Sequence, residues 1–174
     1  MKLLFISLGC DKNLVDSEEM LGMLAADGHE IVDDEDEAEV IIVNTCCFIG
    51  DAKEESVNTI LEMAEKKKAG TCKVLIVTGC MAQRYKKEIS EEIPEVDAIL
   101  GTTSYGDISK AVKEAQAGRH FEEYKSIDFL PDISGKRMLT TGGHFAYLKI
   151  AEGCDKHCTY CIIPKLRGSY RSVP

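Results

Sequence analysis

No stretch of the 174 residues approaches the roughly 18 uninterrupted apolar positions that a membrane-crossing helix requires. The opening Met1-Lys2-Leu3-Leu4-Phe5-Ile6 is too short for a secretory apolar segment, and no small-residue cleavage site follows it, so it reads as a first strand. Gly-x-Gly-x-x-Gly and Walker patterns are missing, which removes the usual basis for a nucleotide site. Internal repeats and low-complexity segments are also absent. Basic residues are outnumbered, 21 against 30 acidic ones, and the formal net charge is −9. That balance is a poor footprint for a phosphate backbone and argues against direct nucleic-acid binding by this portion. The four histidines, His29, His120, His144 and His157, show no metal-like spacing. The acidic run Asp33 to Glu37 reads as a solvated loop.

Cysteine, by contrast, is plentiful. Eight cysteines without a secretion signal indicate a reducing, cytoplasmic setting, where metal or redox chemistry is expected rather than a disulfide framework. Hydrophobic residues at 44% and charged residues at 29% fit an ordinary globular chain.

Short aliphatic runs at Leu3–Leu8, Val40–Val43, Val74–Val77 and Ala98–Leu100 read as strands, with a further short one at Glu30–Val32. Helical stripes lie between them: Leu14, Leu21, Leu24 and Ala25; Val57, Ile60, Leu61 and Ala64; Tyr85, Ile89 and Ile93; and Ile108, Ala111, Val112 and Ala115. The alternation predicts an α/β fold over 1–118, an open, mostly parallel, doubly wound sheet. Residues 119–143, punctuated by Pro131, Gly135, Gly142 and Gly143, read as a linker or hairpin region. A second domain is expected over 144–174, beginning with a strand at Phe145–Ile150 that runs into a cysteine-rich loop. One strand and one loop cannot bury a core. The chain therefore reads as truncated at Pro174, about where a following helix should start.

That loop carries Cys154, Cys158 and Cys161 as C-x₃-C-x₂-C. The spacing suits three thiolates on three irons of one 4Fe-4S cluster, with the fourth iron left open. A zinc knuckle is the alternative, but zinc sites favour a second cysteine pair downstream and none follows. Cys10, Cys46 and Cys80 form a second set. Each lies two or three residues beyond the last apolar residue of an expected strand, Leu8, Val43 or Val77. In an open parallel sheet all carboxyl ends share one edge, where ligands bind. The three thiols are thus expected on one face, as a second three-thiolate site or as small residues that happen to lie near strand ends. Cys47 should point elsewhere, and Cys72 precedes a strand at the opposite edge; both read as structural, with Cys47 as an alternative ligand to Cys46. Asn13, Asp16 and Ser17 either support the Cys10 site or cap a helix. Ser104 reads as a helix cap.

The motifs Ser7-Leu8-Gly9-Cys10-Asp11-Lys12-Asn13, Asn44-Thr45-Cys46, Thr78-Gly79-Cys80-Met81-Ala82-Gln83 and Glu152-Gly153-Cys154 through Arg167-Gly168 resemble, in order and spacing, those of the methylthiotransferases, a radical S-adenosylmethionine (SAM) family. Cys10-Asp11-Lys12-Asn13, Phe48-Ile49 and Ala52 to Ser56 look like the branch that modifies a ribosomal protein rather than the transfer-RNA branch; Cys47 departs from it, standing where Gly is expected. The resemblance implies two 4Fe-4S clusters. One, on Cys154, Cys158 and Cys161, would bind SAM and reduce it to methionine and a 5′-deoxyadenosyl radical that takes hydrogen from the β-carbon of an aspartate in ribosomal small-subunit protein twelve. The other, on Cys10, Cys46 and Cys80, would carry the sulfur to be methylated and inserted. Tyr160 would pack by the SAM adenine, and Arg167 or Lys165 could meet an anion such as the SAM carboxylate or lie on a solvated face. No catalytic residue is implied beyond the cluster ligands. A flavodoxin or ferredoxin would donate electrons. Two alternatives stand beside this reading: a transfer-RNA methylthiotransferase acting on a prenylated adenosine, and a non-catalytic fragment that docks a partner. The family's complete barrel and C-terminal substrate-binding domain are essentially absent from this chain, so turnover by these 174 residues alone is not expected.

Overall fold

A computed structural model of the protein describes residues 1–131, 135 and 137–173. Within the stretch expected as a linker, 132–134 and 136 lie outside the described residues, as does 174 at the chain end. The strands are β1 (Lys2–Ser7), β2 (Glu30–Ile31), β3 (Val40–Thr45), β4 (Val74–Gly79), β5 (Ala98–Leu100), β6 (Phe121–Glu123), β7 (Ala151–Glu152) and β8 (Arg171–Ser172). The helices are α1 (Asp11–Ala26), α2 (Gly50–Lys68), α3 (Cys80–Arg84), α4 (Lys86–Glu92), α5 (Ile108–Gln116) and α6 (Ile163–Arg167).

The first six strands form one sheet in the order β2-β1-β3-β4-β5-β6, and every pairing is parallel. The expected doubly wound α/β sheet is observed. Parallel strands are joined by crossovers, so helices cover both faces and the central strands become apolar throughout. In β3, Val-Ile-Ile-Val-Asn-Thr, and in β4, Val-Leu-Ile-Val-Thr-Gly, all residues are buried. Alternation sends Ile42 and Ile76 to one face with α1 and α5, and Ile41, Val43, Leu75 and Val77 to the other with α2, α3 and α4. Each such side chain contributes about 1.5–3 kcal/mol of transfer free energy.

Three details differ from the sequence reading. The sheet has a sixth strand, Phe121–Glu123, inside the stretch expected as a linker. On α2 the buried residues are Ser56, Ile60, Met63 and Ala64, whereas Val57 and Leu61 are exposed. The strand expected at Phe145–Ile150 is not one. A strand needs a ladder partner, and among the described residues pairing begins only at Ala151–Glu152, antiparallel to Arg171–Ser172, with Val173 N–H donating to the Ile150 carbonyl at 2.9 Å.

The segment after β6 is fastened to the sheet domain through Glu18, a fully buried carboxylate on α1. Its Oε1 accepts from the Thr140 backbone N–H at 2.7 Å and from the Thr140 hydroxyl at 2.9 Å, and its Oε2 accepts from Arg137. Burial alone would raise the Glu18 carboxyl, yet these hydrogen bonds and the guanidinium hold it below the usual carboxylate range. A depressed folded-state value contributes stability that is fully present above the unfolded value, about 4.3, and is lost as pH falls through the folded one. Glu18→Gln is expected to lower unfolding free energy at pH 7 by about 1–3 kcal/mol. The gap from wild type should narrow by pH 3. Denaturant titrations at the two pH values measure both quantities.

Candidate functional site

The strand order reverses between β1 and β3, because β2 lies on one side of β1 and all later strands lie on the other. A crevice opens at such a reversal, beyond the carboxyl ends of the strands. Here it is a cleft of about 950 Å³, and Cys10, Cys46 and Cys80 all line it. Cys10 is the N-cap of α1, Cys46 follows β3 directly, and Cys80 opens α3 after β4. The structure therefore brings together the three thiols expected on one face. The positive end of the α1 dipole also opens here.

Backbone geometry holds the three in place. Gly79 has φ +93°, and a Cβ there would lie 2.3 Å from Asn44 Oδ1 and 2.5 Å from the Thr45 carbonyl. Gly9 has φ +98°, and its Cβ would lie 2.6 Å from Cys46 Cβ and 2.8 Å from Cys46 Sγ. Only glycine lets the loops before Cys80 and Cys10 close this tightly over their neighbours. Ser56 clamps Cys46: its hydroxyl accepts from the Cys46 N–H and donates to the Cys46 carbonyl, both at 2.9 Å. This explains why α2 turns Ser56 inward while Val57 faces solvent. Ser56 closes the Ala52 to Ser56 motif, and its position four residues before buried Ile60 is the sequence signal that marks it.

Asn13, Asp16 and Ser17 do not cap α1. The Asn13 amide donates to the Leu8 carbonyl and to the Thr45 carbonyl, each at 2.9 Å, which ties the ends of β1 and β3 together. Asn44 donates to Ser17 Oγ at 2.9 Å and to the Asn13 carbonyl at 3.0 Å. Asn13 Oδ1 faces Cys80 Sγ at 3.8 Å. These residues form the hydrogen-bonded floor beneath the thiols. Ser104 does not cap through its side chain either; its hydroxyl accepts from the Lys125 N–H at 2.8 Å.

Arg167 is the largest departure from expectation. It does not lie on a solvated face, and the anions it meets here are carboxylates of the chain itself. It is 2% exposed, and its guanidinium donates to Asp16 Oδ2 at 3.0 Å, Glu152 Oε2 at 2.9 Å and Asn13 Oδ1 at 2.5 Å. Lys149 completes the cluster by pairing with Asp16 and, at 3.2 Å, with Glu152. Burial would raise the Glu152 carboxyl, but Arg167, Lys149 and Lys12 together hold it down at about 2. Burial pushes the Cys80 thiol up to about 12, against the pull of the neighbouring guanidinium.

Cys154, Cys158 and Cys161 lie on the loop between β7 and α6. Cys154 N–H donates to the Gly168 carbonyl and Cys161 N–H to the Cys158 carbonyl, both at 3.0 Å. Cys158 and Cys161 border a separate cleft of about 410 Å³ with Tyr160, His157, Lys165 and Arg84. Tyr160 is 88% exposed at its rim. Cys47 is buried in the core cluster that also holds Cys80, and Cys72 is buried at the amino end of β4, where its Sγ lies 3.0 Å from the Val74 carbonyl.

Among the described residues, no three His, Cys, Asp or Glu side chains stand close enough together to grip a single metal ion. A polynuclear cluster makes a different demand, since each thiolate binds a different iron. Three cysteines around a cleft of 950 Å³, under loops pressed against Cys46, fit that demand in donor chemistry and room. The three loop cysteines supply the same donor set.

A family model described as Uncharacterized protein family UPF0004 matches residues 2–101. Curated relatives named ribosomal protein uS12 methylthiotransferase RimO match along nearly the whole chain, three of them as follows. That of Lachnoclostridium phytofermentans is 64% identical over 174 residues, covering all of this chain and 40% of the relative. That of Clostridioides difficile is 53% identical over 172 residues, covering 99% and 39%. That of Geobacter sulfurreducens is 50% identical over 174 residues, also covering 99% and 39%. The chain thus spans about 40% of the length of these relatives.

Thiol exposure and burial set an order of reactivity in the metal-free chain. Iodoacetamide at pH 8 is expected to label exposed Cys10 and Cys158 first. Buried Cys80, with its thiol held protonated, should label last, together with Cys46, Cys47 and Cys72. Peptide mass mapping over time reads the order directly.

Proposed function

The chain belongs to the UPF0004 family and is a homologue of the uS12 methylthiotransferases, and from that premise we propose that it is the N-terminal portion of an enzyme that places a methylthio group on ribosomal protein uS12. The observation that carries the proposal is the convergence of Cys10, Cys46 and Cys80 on one cleft at the sheet's reversal point.

In this reading Cys10, Cys46 and Cys80 hold one 4Fe-4S cluster, and Cys154, Cys158 and Cys161 hold another. Each set leaves one iron without a protein ligand. When bound, these clusters and SAM would supply one-electron chemistry and the transferable sulfur. The polypeptide's own work is spatial and electrostatic. Gly9 and Gly79 let the thiol loops close, Ser56 fixes the Cys46 backbone, and Asn13 joins the ends of β1 and β3 beside Cys80. Leu8, Phe48, Ile49, Ala52 and Leu166 give the first cleft an apolar wall. Tyr160 offers a flat aromatic surface beside Cys158 and Cys161 on which an adenine could rest. The methylthio group is taken to go onto the β-carbon of an aspartate in uS12, with electrons delivered by a flavodoxin or ferredoxin in the cytoplasm.

Anaerobic reconstitution with iron and sulfide tests the assignment. About eight irons per chain are expected for wild type, falling to about four in Cys10→Ala/Cys46→Ala/Cys80→Ala. Electron paramagnetic resonance of the reduced samples should lose one of two signals. Four irons in wild type, unchanged by the triple substitution, would remove the first cleft from the mechanism.

A further inference from the structure

A buried guanidinium sits where the two cysteine sets meet, and the cysteine chemistry alone gives it no task. Arg167 closes α6, six residues after Cys161. Its partners come from two distant parts of the chain: Asn13 and Asp16 on α1, directly after Cys10, and Glu152 on β7, two residues before Cys154. Leu166, beside it, is buried in the core cluster that holds Cys47 and Cys80, and its carbonyl accepts from the Thr102 hydroxyl at 2.7 Å. The cysteine loop is therefore gripped at both ends by one side chain that also reaches into the sheet domain.

The same guanidinium lies against the thiols. Asn13 Oδ1 takes Arg167 Nη2 at 2.5 Å and faces Cys80 Sγ at 3.8 Å, so the cation and the sulfur share one acceptor. Arg167 lines the cleft together with Cys10, Cys46 and Cys80. The charge count around it is informative. Asp16 and Glu152 carry two negative charges, and Arg167 and Lys149 carry two positive ones, with all four side chains nearly closed to solvent. These four buried charges balance when the cysteines are neutral thiols, and the partly exposed Lys12 adds a further positive charge 3.4 Å from Glu152. Thiolates at Cys10 and Cys80 would then share the cleft with a buried cation. An arginine is suited to this double duty because its charge is permanent and its planar fork reaches several acceptors at once.

We propose that Arg167 is a positioning residue that couples the two cysteine sets, locking the Cys154–Cys161 loop to α1 while holding a fixed positive charge beside Cys10 and Cys80. The coupling half stands on the hydrogen bonds alone; the charge half rests on the reading of Cys10, Cys46 and Cys80 as cluster ligands. Neither half requires any group to change protonation. A positive charge beside a cluster favours its reduced form, so removing the charge should move the midpoint potential to more negative values.

Two measurements on the 174-residue chain separate these halves. Hydrogen–deuterium exchange of the metal-free protein reads the coupling. Arg167→Met/Asp16→Asn removes one charge of each sign, which leaves Lys149 and Glu152 as a neutral pair and favours folding; circular dichroism checks that it folds. Amides of Ala151–Cys154 and of the first turn of α1 should exchange about tenfold faster in this variant, while those of β3 and β4 keep their protection. The midpoint potential is read on chains carrying Cys154→Ala/Cys158→Ala/Cys161→Ala, in which iron can load only the first cleft. Arg167→Met in that background should shift the potential negative. Arg167→Lys keeps the charge without the fork, so it should restore the potential but not the exchange protection. Unchanged exchange in the paired variant, or an unchanged potential in Arg167→Met, overturns the proposal. If iron fails to load in the triple-alanine background, the ligand reading of the first cleft fails and the charge half falls with it. The exchange result then decides the coupling half independently.

Discussion

A sheet whose strands all run the same way must place every carboxyl end on a single edge, and the rest of this molecule depends on that constraint. Three cysteines 36 and 34 residues apart in sequence become neighbours because β1, β3 and β4 lie side by side and end level. The register shows how closely this is set. Ser7 pairs with Asn44, Asn44 with Thr78, and Thr45 with Gly79, so the polar residues that end each strand form one row beneath the cleft. A slip of one residue would turn the apolar side chains of β3 to the opposite face and carry its cysteine away from the others. The hydrophobic pattern of the core is in this sense what fixes the spacing of the thiols.

The second organising element is ionic. A buried pair of like count, Asp16 and Glu152 against Arg167 and Lys149, joins the sheet domain to the cysteine loop. Such clusters are poor sources of net stability, because desolvation offsets most of the attraction, but losing a single member costs about 3–5 kcal/mol by leaving a charge stranded. An apolar contact over the same area would tolerate sliding; a fork with three acceptors on two separate elements does not. Glu18, fully buried on the same helix, repeats the device with Arg137 and Thr140. Helix α1 thus presents carboxylates to the incoming chain at two levels, which explains why so much of its buried surface is polar.

What could be read in the sequence was what local pattern encodes. The aliphatic runs of β3 and β4 announce themselves, and the position of each cysteine just beyond such a run is enough to bring the three together on one edge. Phe121–Glu123 escaped because Phe-Glu-Glu has neither an aliphatic run nor clear alternation; its strand character comes from β5 beside it. Phe145–Ile150 misled for the opposite reason, having β-forming side chains without a ladder along most of its length. The buried face of α2 was displaced because the helix aims a serine at the Cys46 backbone, and a period-based reading favours the more apolar Val57. What Arg167 touches was beyond reach of any local pattern. Its acceptors lie 151, 154 and 15 residues away, so the motif that contains Arg167-Gly168 could mark the residue but not its burial or its partners.

Gly79 carries a consequence for how this protein can vary. Because a side chain at that position has no room against Asn44 and the Thr45 backbone, the separation of Cys46 from Cys80 is written in main-chain contacts between two strand ends rather than in the bulk of side chains. The wall of the cleft comes from elsewhere, the segment from Phe48 to Glu55 at the start of α2. Scaffold and lining are therefore supplied by different parts of the chain. Substitutions along that segment can reshape what the cleft admits while the spacing of the three cysteines stays as the backbone set it.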